Sequence, residues 1–265
     1  MLSSPCYVIS DTHLGIGDDD RERERDLVTF LRHLDGRAAS LLINGDLFDF
    51  WFEWRSVIPR GHFRTLAALA DLKDSGLDIL MVAGNHDCWG GDVLTREVGV
   101  RFVEGPITET LSGWRTHIAH GDGLRLVEDK KYRMLRRVLR HPASIRAFRL
   151  LHPDWGSSLA RGSSDASRTY RARDEGAGLR AVAMRYLEEH PDLDLVLYGH
   201  SHVAALERSP TGAVYANAGS WLDDRAFLRI TPDIIELRRW DAASSAEGVL
   251  LHTVDRRTEK ALADT

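Results

Sequence analysis

Residues 6–13 read Cys-Tyr-Val-Ile-Ser-Asp-Thr-His, an apolar run followed at once by an acid and an imidazole. A run this short, rich in branched side chains and bounded by polar ones, predicts a buried β-strand. The same arrangement recurs four more times, with apolar runs at 41–43, 79–82, 117–119 and 193–197 that lead into Asp, Asn or His. The sequence therefore predicts five strands whose ends carry polar side chains.

Helical patterns separate these runs. Apolar residues spaced for one helix face occur at Leu27, Phe30, Leu31 and Leu34, and again at Phe63, Leu66, Ala67 and Ala70. Alternating strands and helices predict an α/β fold built in layers. More closely spaced apolar runs near 214–215, 227–230 and 234–235 predict antiparallel strands that complete the sheet.

One long segment, 124–187, shows no strand pattern and is expected to form a helical insertion over the core. It contains a strongly basic helix pattern at 130–140. We predict one domain over residues 1–240 that includes this insertion. A tail follows at 241–265, where weak periodicity indicates a partly frayed end.

The bulk composition excludes several classes of protein. The net charge is −5 over 265 residues and the sequence pI is about 6.2, which argues against a nucleic-acid partner. Two cysteines cannot make a disulfide framework and fit a reducing compartment. There is no signal-peptide pattern and no apolar run that could span a bilayer. The expected location is the cytoplasm, with contact to a membrane surface left open.

The polar residues at the five strand ends are candidates for a metal site. The carboxyl ends of strands form the ligand site in open α/β sheets, so neighbouring strands would bring these clusters together. Carboxylate, amide and imidazole donors without cysteine suit Mn²⁺, Fe²⁺ or Zn²⁺. Seven donors exceed the needs of one ion and match two ions that share a carboxylate and clamp a phosphoryl group. The candidate ligands are Asp11, His13, Asp46, Asn85, His120, His200 and His202.

Each cluster by itself has a simpler interpretation. Asp11 at a strand end could cap the next helix, and Asn44-Gly45-Asp46 is a common turn sequence. Short motifs of this kind often occur without function. The complete set, in this order and at strand ends, favours the metal site.

The motif series resembles that of the calcineurin-like metallophosphoesterases over about residues 6–230. The resemblance implies a four-layer α/β/β/α sandwich. It implies one ion held by Asp11, His13, Asp46 and His202, and a second held by Asp46, Asn85, His120 and His200. It also implies catalytic roles for Asn85 and for His86, which would protonate the leaving group or orient the phosphate, with Asp87 positioning the His86 ring.

Two stretches, 45–51 and 120–124, resemble those of UDP-2,3-diacylglucosamine pyrophosphatases, hydrolases of lipid A biosynthesis. The resemblance implies two Mn²⁺ ions and a nucleotide-linked glycolipid substrate that is cleaved to UMP and 2,3-diacylglucosamine 1-phosphate. The insertion would form a helical lid. The implied substrate contacts are Asn85, His86, His200, Trp51, Asp129, Ser164, Arg168 and Arg171. The best-known branch of that family has Arg where this chain has His86.

The basic helix pattern gives separate support for a lipid substrate. Eight cationic residues lie in 130–149, and Met134, Leu135, Val138 and Leu139 add an apolar face. A basic amphipathic helix is typical of binding to a membrane surface, here the inner face of the cell membrane. The alternative is a solvated basic face that pairs with acids elsewhere in the protein.

Two other functions fit the same metal ligands. One is hydrolysis of another nucleotide pyrophosphate or of a cyclic phosphodiester, which needs neither an apolar groove nor a basic lid. The other is a metal-binding scaffold without catalysis. A scaffold has no need for the full donor set together with His86, so the enzyme is the favoured prediction.

Overall fold

The computed structural model describes residues 1–159, 176–241 and 247–256. Its strands form two sheets. The first sheet has the order β12-β11-β10-β1-β2-β3-β4. Its strands are Cys6–Ile9 (β1), Ser40–Asn44 (β2), Asp78–Val82 (β3), Arg101–Val103 (β4), Ala226–Ile230 (β10), Ile234–Arg239 (β11) and Val249–Asp255 (β12).

The second sheet has the order β5-β6-β7-β9-β8. Its strands are Ile107–Leu111 (β5), Trp114–Ile118 (β6), Leu195–Tyr198 (β7), Ala205–Arg208 (β8) and Val214–Asn217 (β9). The strands β1 to β4 run parallel, as do β6, β7 and β9, whereas β10 to β12 are antiparallel to their neighbours. The predicted antiparallel completion of the sheet is confirmed for β10 and β11, whereas the run at 214–215 forms β9 of the second sheet, parallel to β7 and antiparallel to β8.

The helices are Asp20–Leu34 (α1), Phe63–Asp74 (α2), Lys130–Leu139 (α3), Pro142–Arg149 (α4), Ala177–Glu189 (α5) and Trp221–Asp224 (α6), with a π-helical turn at Val93–Glu97 and further helical residues at 153–159. One apolar core lies between α1, α2 and the first sheet, a second between the two sheets, and a third between the second sheet and α5. This is the predicted α/β/β/α sandwich.

Two local predictions were wrong. The buried face of α2 is formed by Thr65, Leu66, Ala68, Leu69 and Leu72, not by the predicted set that included Phe63, Ala67 and Ala70. Phe63 is the first residue of the helix and is 66% exposed, because it lies beyond the end of the core. The segment after Trp240, predicted to be a partly frayed tail outside the domain, contains β12, which pairs with β11 and so belongs to the first sheet.

Helices connect β6 and β7. In the parts of 124–187 that the structure describes, 124–159 and 176–187, there is no strand, as predicted. The outer surface of this insertion exposes large apolar side chains, among them Val127, Met134, Leu150 and Trp155. Over the described ranges, no helix has the length and apolar character that a membrane span would need.

Candidate metal centre

The loops that follow β1, β2, β3, β6 and β7 meet at one end of the two sheets. Main-chain hydrogen bonds join the first two loops, from Asp11 N to Gly45 O at 3.1 Å and from His13 N to Asp46 O at 2.9 Å. Five candidate ligands, Asp11, His13, Asp46, His200 and His202, have φ between 47° and 63°. This left-handed conformation is unfavourable for residues other than glycine, so the surrounding structure must hold it in place.

The first group of donors comprises Asp11, His13 and His202, whose ligand atoms all lie within 4.8 Å of one another. His202 Nε2 is 3.2 Å from His13 Nε2 and 3.3 Å from Asp11 Oδ1. Two donors bound about 2.1 Å from one ion at right angles lie about 3 Å apart. The spacing therefore fits a shared cation.

The second group comprises Asp46, His120 and His200. His120 Nε2 lies 3.1 Å from Asp46 Oδ2 and 3.2 Å from Asn85 Oδ1. Asp46 Oδ2 is also 3.7 Å from His13 Nε2, which belongs to the first group. The structure thus brings all seven predicted ligands together and places Asp46 between the two groups.

Hydrogen bonds to Nδ1 orient two of the candidate histidine ligands, so that their Nε2 atoms face the other donors. His120 Nδ1 lies 2.9 Å from the carbonyl oxygen of Asn44, and His202 Nδ1 lies 3.0 Å from the carboxylate of Asp223. Each ring donates its Nδ1 proton to that acceptor, which leaves Nε2 to bind a metal. Sequence reasoning missed Asp223, which lies far along the chain and outside every strand-end motif.

The environment of Asp11 is the clearest test of whether the residues fit a metal. Its Oδ2 accepts hydrogen bonds from Ser10 Oγ at 2.5 Å and from the His200 amide at 3.0 Å. Its Oδ1 is buried and has no hydrogen-bond partner among the described residues. A buried carboxylate oxygen without a donor is costly, and a cation between it and His202 would remove that cost. The donor set therefore fits divalent metal.

The electrostatics of the second group are those of a cation site. Burial raises the pKa of Asp46, but the imidazoles of His120 and His86 outweigh it and hold that pKa well below its usual range. Burial lowers the pKa of His120, but the Asp46 carboxylate raises it well above the ordinary value. Burial and the neighbouring His120 lower the pKa of His200. A metal ion would occupy the place of the proton that Asp46 and His120 share.

Two glycines are required at this centre. A Cβ on Gly45 would collide with the His120 ring, and a Cβ on Gly84 would collide with the Asp46 carboxylate. Gly45 also has φ of 85°. Both positions therefore need glycine so that the β2 and β3 loops can approach each other and His120.

The ring of His86 is held by Asp49. His86 Nδ1 lies 3.0 Å from the Asp49 carbonyl oxygen and 3.6 Å from its carboxylate. The predicted positioning residue, Asp87, instead accepts hydrogen bonds from the amides of Leu47 at 2.7 Å and Gly84 at 2.9 Å. Burial, reinforced by the charge of Asp46, raises the pKa of Asp87 to about 6. Asp87 thus fixes the backbone of the β2 and β3 loops. Asp49 positions the His86 ring, which is the role that was predicted for Asp87.

The predicted substrate contacts outside the metal centre have different positions. Trp51 has no exposed surface, stacks on Phe48 and donates its indole proton to Glu53, so its position is that of a core residue. Asp129 is 8% exposed and accepts hydrogen bonds from the amide and guanidinium of Arg125, both at 3.0 Å. Ser164, Arg168 and Arg171 lie outside the described residues.

One face of α3 contacts the loops of the metal centre. Tyr132 donates a hydrogen bond to Asp122 Oδ2 at 2.7 Å, and Arg136 lies 3.4 Å from the same oxygen. Arg140 donates to the carbonyl of Gly84 at 3.0 Å. Asp122 follows the ligand His120 by two residues, and Gly84 precedes the ligand Asn85. Arg136 and Arg140, expected on an outward basic face, therefore point toward the core.

An aromatic cluster anchors the insertion on its other side. Phe50, Phe52 and Trp54 follow β2 and pack with Trp89 from the loop after β3 and with Phe148 of α4. The indole of Trp54 donates to the carbonyl of Leu151, and that of Trp89 to the carbonyl of Leu139. The wall between core and insertion is therefore apolar next to the metal centre.

Comparison with known proteins agrees with this architecture. The family model for calcineurin-like phosphoesterases matches residues 4–204, and the chain belongs to this family. With its metal-binding donor set, the protein is a metal-dependent hydrolase.

Several curated relatives are similar over most of the chain. The UDP-2,3-diacylglucosamine hydrolase of Porphyromonas gingivalis is 34% identical over 221 residues, covering 76% of this chain and 84% of that protein. The protein of the same name from Pseudomonas fluorescens is 31% identical, covering 88% and 94%. That from Ralstonia nicotianae is 28% identical, covering 94% of each chain.

Proposed function

We propose that this protein hydrolyses the pyrophosphate of UDP-2,3-diacylglucosamine to UMP and 2,3-diacylglucosamine 1-phosphate. The observation that carries the proposal is the pair of donor groups around Asp46. It occurs in a chain whose relatives in several bacteria are UDP-2,3-diacylglucosamine hydrolases. Enzymes that cleave phosphoanhydrides commonly use such paired sites.

The seven ligands are proposed to hold two divalent ions, one in each donor group, with Mn²⁺ as the expected metal. Oxygen and nitrogen donors without cysteine suit this ion. When bound, the ions would lower the pKa of a water molecule and neutralise charge on the phosphoryl oxygens. Asp46 contributes to both groups, so its carboxylate would set the distance between them.

The reaction adds water to the α-phosphorus. The bond from that phosphorus to the bridging oxygen breaks, and the oxygen leaves with the sugar phosphate. His86 would donate a hydrogen bond to a phosphoryl oxygen, because Asp49 holds its Nδ1 and the ring lies beside His13 and Asp46. The leaving group is itself a phosphate and needs little protonation.

The lipid half of the substrate is proposed to lie along the aromatic cluster of Phe50, Phe52, Trp54, Trp89 and Phe148. The cluster follows the same two strands as the ligands of the β2 and β3 loops. Phe50, Phe52 and Trp54 are at most 8% exposed, so the insertion would have to separate from the core to admit the acyl chains. Head-group contacts by Asp129, Ser164, Arg168 and Arg171 stay part of the proposal. Asp129 would have to release Arg125 to make one.

Hydrolysis in ¹⁸O-labelled water tests the reaction. Protein loaded with Mn²⁺ should convert UDP-2,3-diacylglucosamine to UMP that carries the label, as measured by mass spectrometry. Label in the sugar phosphate would place the attack at the other phosphorus. Turnover of a simple nucleotide pyrophosphate, without turnover of the lipid, would favour the alternative nucleotide substrate.

Peripheral binding to the inner face of the membrane, in the cytoplasm, is a further part of the proposal. Lys130, Lys131 and Arg137 are exposed on α3, next to exposed Met134 and Val138. Each cation near an anionic bilayer contributes about 1 kcal/mol. An apolar surface with cations beside it is typical of proteins that lie on a membrane.

Vesicle binding tests this surface. Replacing Lys131 and Arg137 by Ser should weaken binding to phosphatidylserine vesicles by about 30-fold at low salt, since two cations are removed. Arg21→Ser with Arg25→Ser, on exposed positions of α1, is the matched control. Equal binding by both double variants would refute the assignment of the surface.

A further inference from the structure

A cavity of about 460 Å³ lies beside the metal centre. Ser201 and Val203 line it, and they alternate along the chain with the ligands His200 and His202. Ala177 at the start of α5, Ala205 of β8 and Leu237 of β11 form further walls. Volumes of about 300–1,000 Å³ are typical of small-molecule sites.

The cavity is on the opposite side of the metal centre from the aromatic cluster. In the first sheet, the cluster follows β2 and β3, whereas the cavity uses β11 and the edge strand β12, with β1 and its ligands between them. In the second sheet, the cavity lies at β9 and β8, away from β6 and its contacts with the insertion. A substrate with its pyrophosphate at the metals and its lipid on the cluster would extend its other end toward this cavity.

The charges of the cavity favour a neutral ligand. Arg180 lines it, but its guanidinium is 2.6 and 2.7 Å from the carboxylate of Glu207, which also lines it. The two charges cancel, so the cavity does not attract a free phosphate strongly. Ser201 Oγ accepts hydrogen bonds from Asn217 and from the Val203 amide, which leaves its own proton to donate to a ligand.

The wall formed by β8 can recognise a planar imide. Within the described ranges, β8 is the last strand of its sheet, pairs with β9 alone and contacts β12 of the first sheet. An edge strand presents main-chain N–H and C=O groups side by side. Uracil presents a carbonyl and an N–H in the same spacing, and the apolar side chains of Val203, Ala205 and Leu237 suit its ring faces.

We propose that this cavity binds the uridine of the substrate, with the base against the edge of β8 and the ribose toward Ser201. The inference rests on the proposed function and adds a binding subsite to it. The nucleoside would then be recognised by residues 201–207, which follow the candidate ligand His200 and include His202. The lipid would bind elsewhere, at the apolar wall between the core and the insertion.

Filling the cavity tests the proposal. Ala177→Trp should raise the KM for UDP-2,3-diacylglucosamine at least tenfold and leave the turnover of bis(4-nitrophenyl) phosphate unchanged. Ala177 is exposed at the rim, so the larger side chain does not disturb a core. Ala181→Trp is the matched control, because it is exposed on the same helix and does not line the cavity. Equal KM values for the two variants would overturn the subsite.

Direct binding separates this inference from the reaction. Free uridine should bind the wild-type protein competitively with the substrate, and 3-methyluridine, which lacks the imide proton, about tenfold more weakly. Photocrosslinking with 5-iodouridine 5′-monophosphate should modify peptides that contain 201–207. Crosslinks confined to other peptides would refute the subsite even if the lipid is hydrolysed. Crosslinks at 201–207 without lipid turnover would support the subsite and reject the proposed substrate.

Discussion

Replacing Asp122 by Asn should release the insertion from the metal centre. Asp122 is 3% exposed, accepts a 2.7 Å hydrogen bond from Tyr132, and is the acid nearest to Arg136 and Arg140 of the same helix. A hydrogen bond to a buried charge contributes about 1.5–3 kcal/mol. Removing one partner of a fully buried ion pair costs about 3–5 kcal/mol. The two arginines are 25% and 12% exposed, so we expect the lower part of these ranges, about 2–3 kcal/mol.

Amide hydrogen exchange measures this change locally. The loss should speed exchange of α3 amides by about 30- to 150-fold while the amides of β1 and β2 keep their protection. Asp192→Asn is the control, since Asp192 pairs with Arg115 at 3.0 Å with both side chains more than half exposed. Such surface pairs contribute at most about 1 kcal/mol. Unchanged exchange of α3, or the same change in both variants, would refute the reasoning.

Three further predictions concern the metal centre and the stability. Asp46→Asn should lower the metal content from about two ions to one or fewer and abolish activity, as measured by elemental analysis, because both groups use its oxygen; two retained ions would contradict this. His86→Ala should lower kcat by about 10²–10⁴ with metal content intact, and Asp49→Asn should lower it less; near-normal turnover of His86→Ala would remove its role. Burial and then His190 lower the pKa of His117 to about 4. The pKa of His117 in the folded protein lies below its unfolded value, so the free energy of unfolding is highest above about pH 6.5. It should fall by at most about 3 kcal/mol as the pH is lowered toward 4, as measured by urea unfolding. His117→Phe should remove this pH dependence, and an identical pH dependence in the variant would contradict the assignment to His117.

The fold and the convergence of the candidate ligands were predictable because they depend on local patterns. Each strand is a short apolar run, and each candidate ligand lies two to four residues after one, as Asp11 does after β1 and His120 after β6. Parallel strands bring their carboxyl ends together, so positions distant in the chain could be combined without knowing any distance. The same logic could not find Asp223, which lies in α6 and contacts His202 only through the tertiary structure.

Errors occurred where direction, rather than spacing, decides the role. Asp87 is next to His86 in sequence, whereas Asp49 is 37 residues away and reaches the ring only through the path of the β2 loop. In the basic helix, the spacing of the residues carries information that the composition alone does not show. Tyr132, Arg136 and Arg140 are four residues apart and share one helix face, and that face meets Asp122.

The left-handed backbone of five ligands has a consequence for how this sequence can change. Each such residue costs about 1 kcal/mol or more relative to glycine, so the catalytic end of the sandwich is held at the expense of thermal tolerance. A gene copy released from selection for activity would gain stability most readily by replacing His13, His200 or His202 with Gly or Asn, since the carboxylates of Asp11 and Asp46 also accept buried hydrogen bonds from the amides of His200 and His86. Homologues that keep the sandwich but lose catalysis should therefore show their first substitutions at these ligand positions. Glycine there would indicate that hydrolysis has been lost.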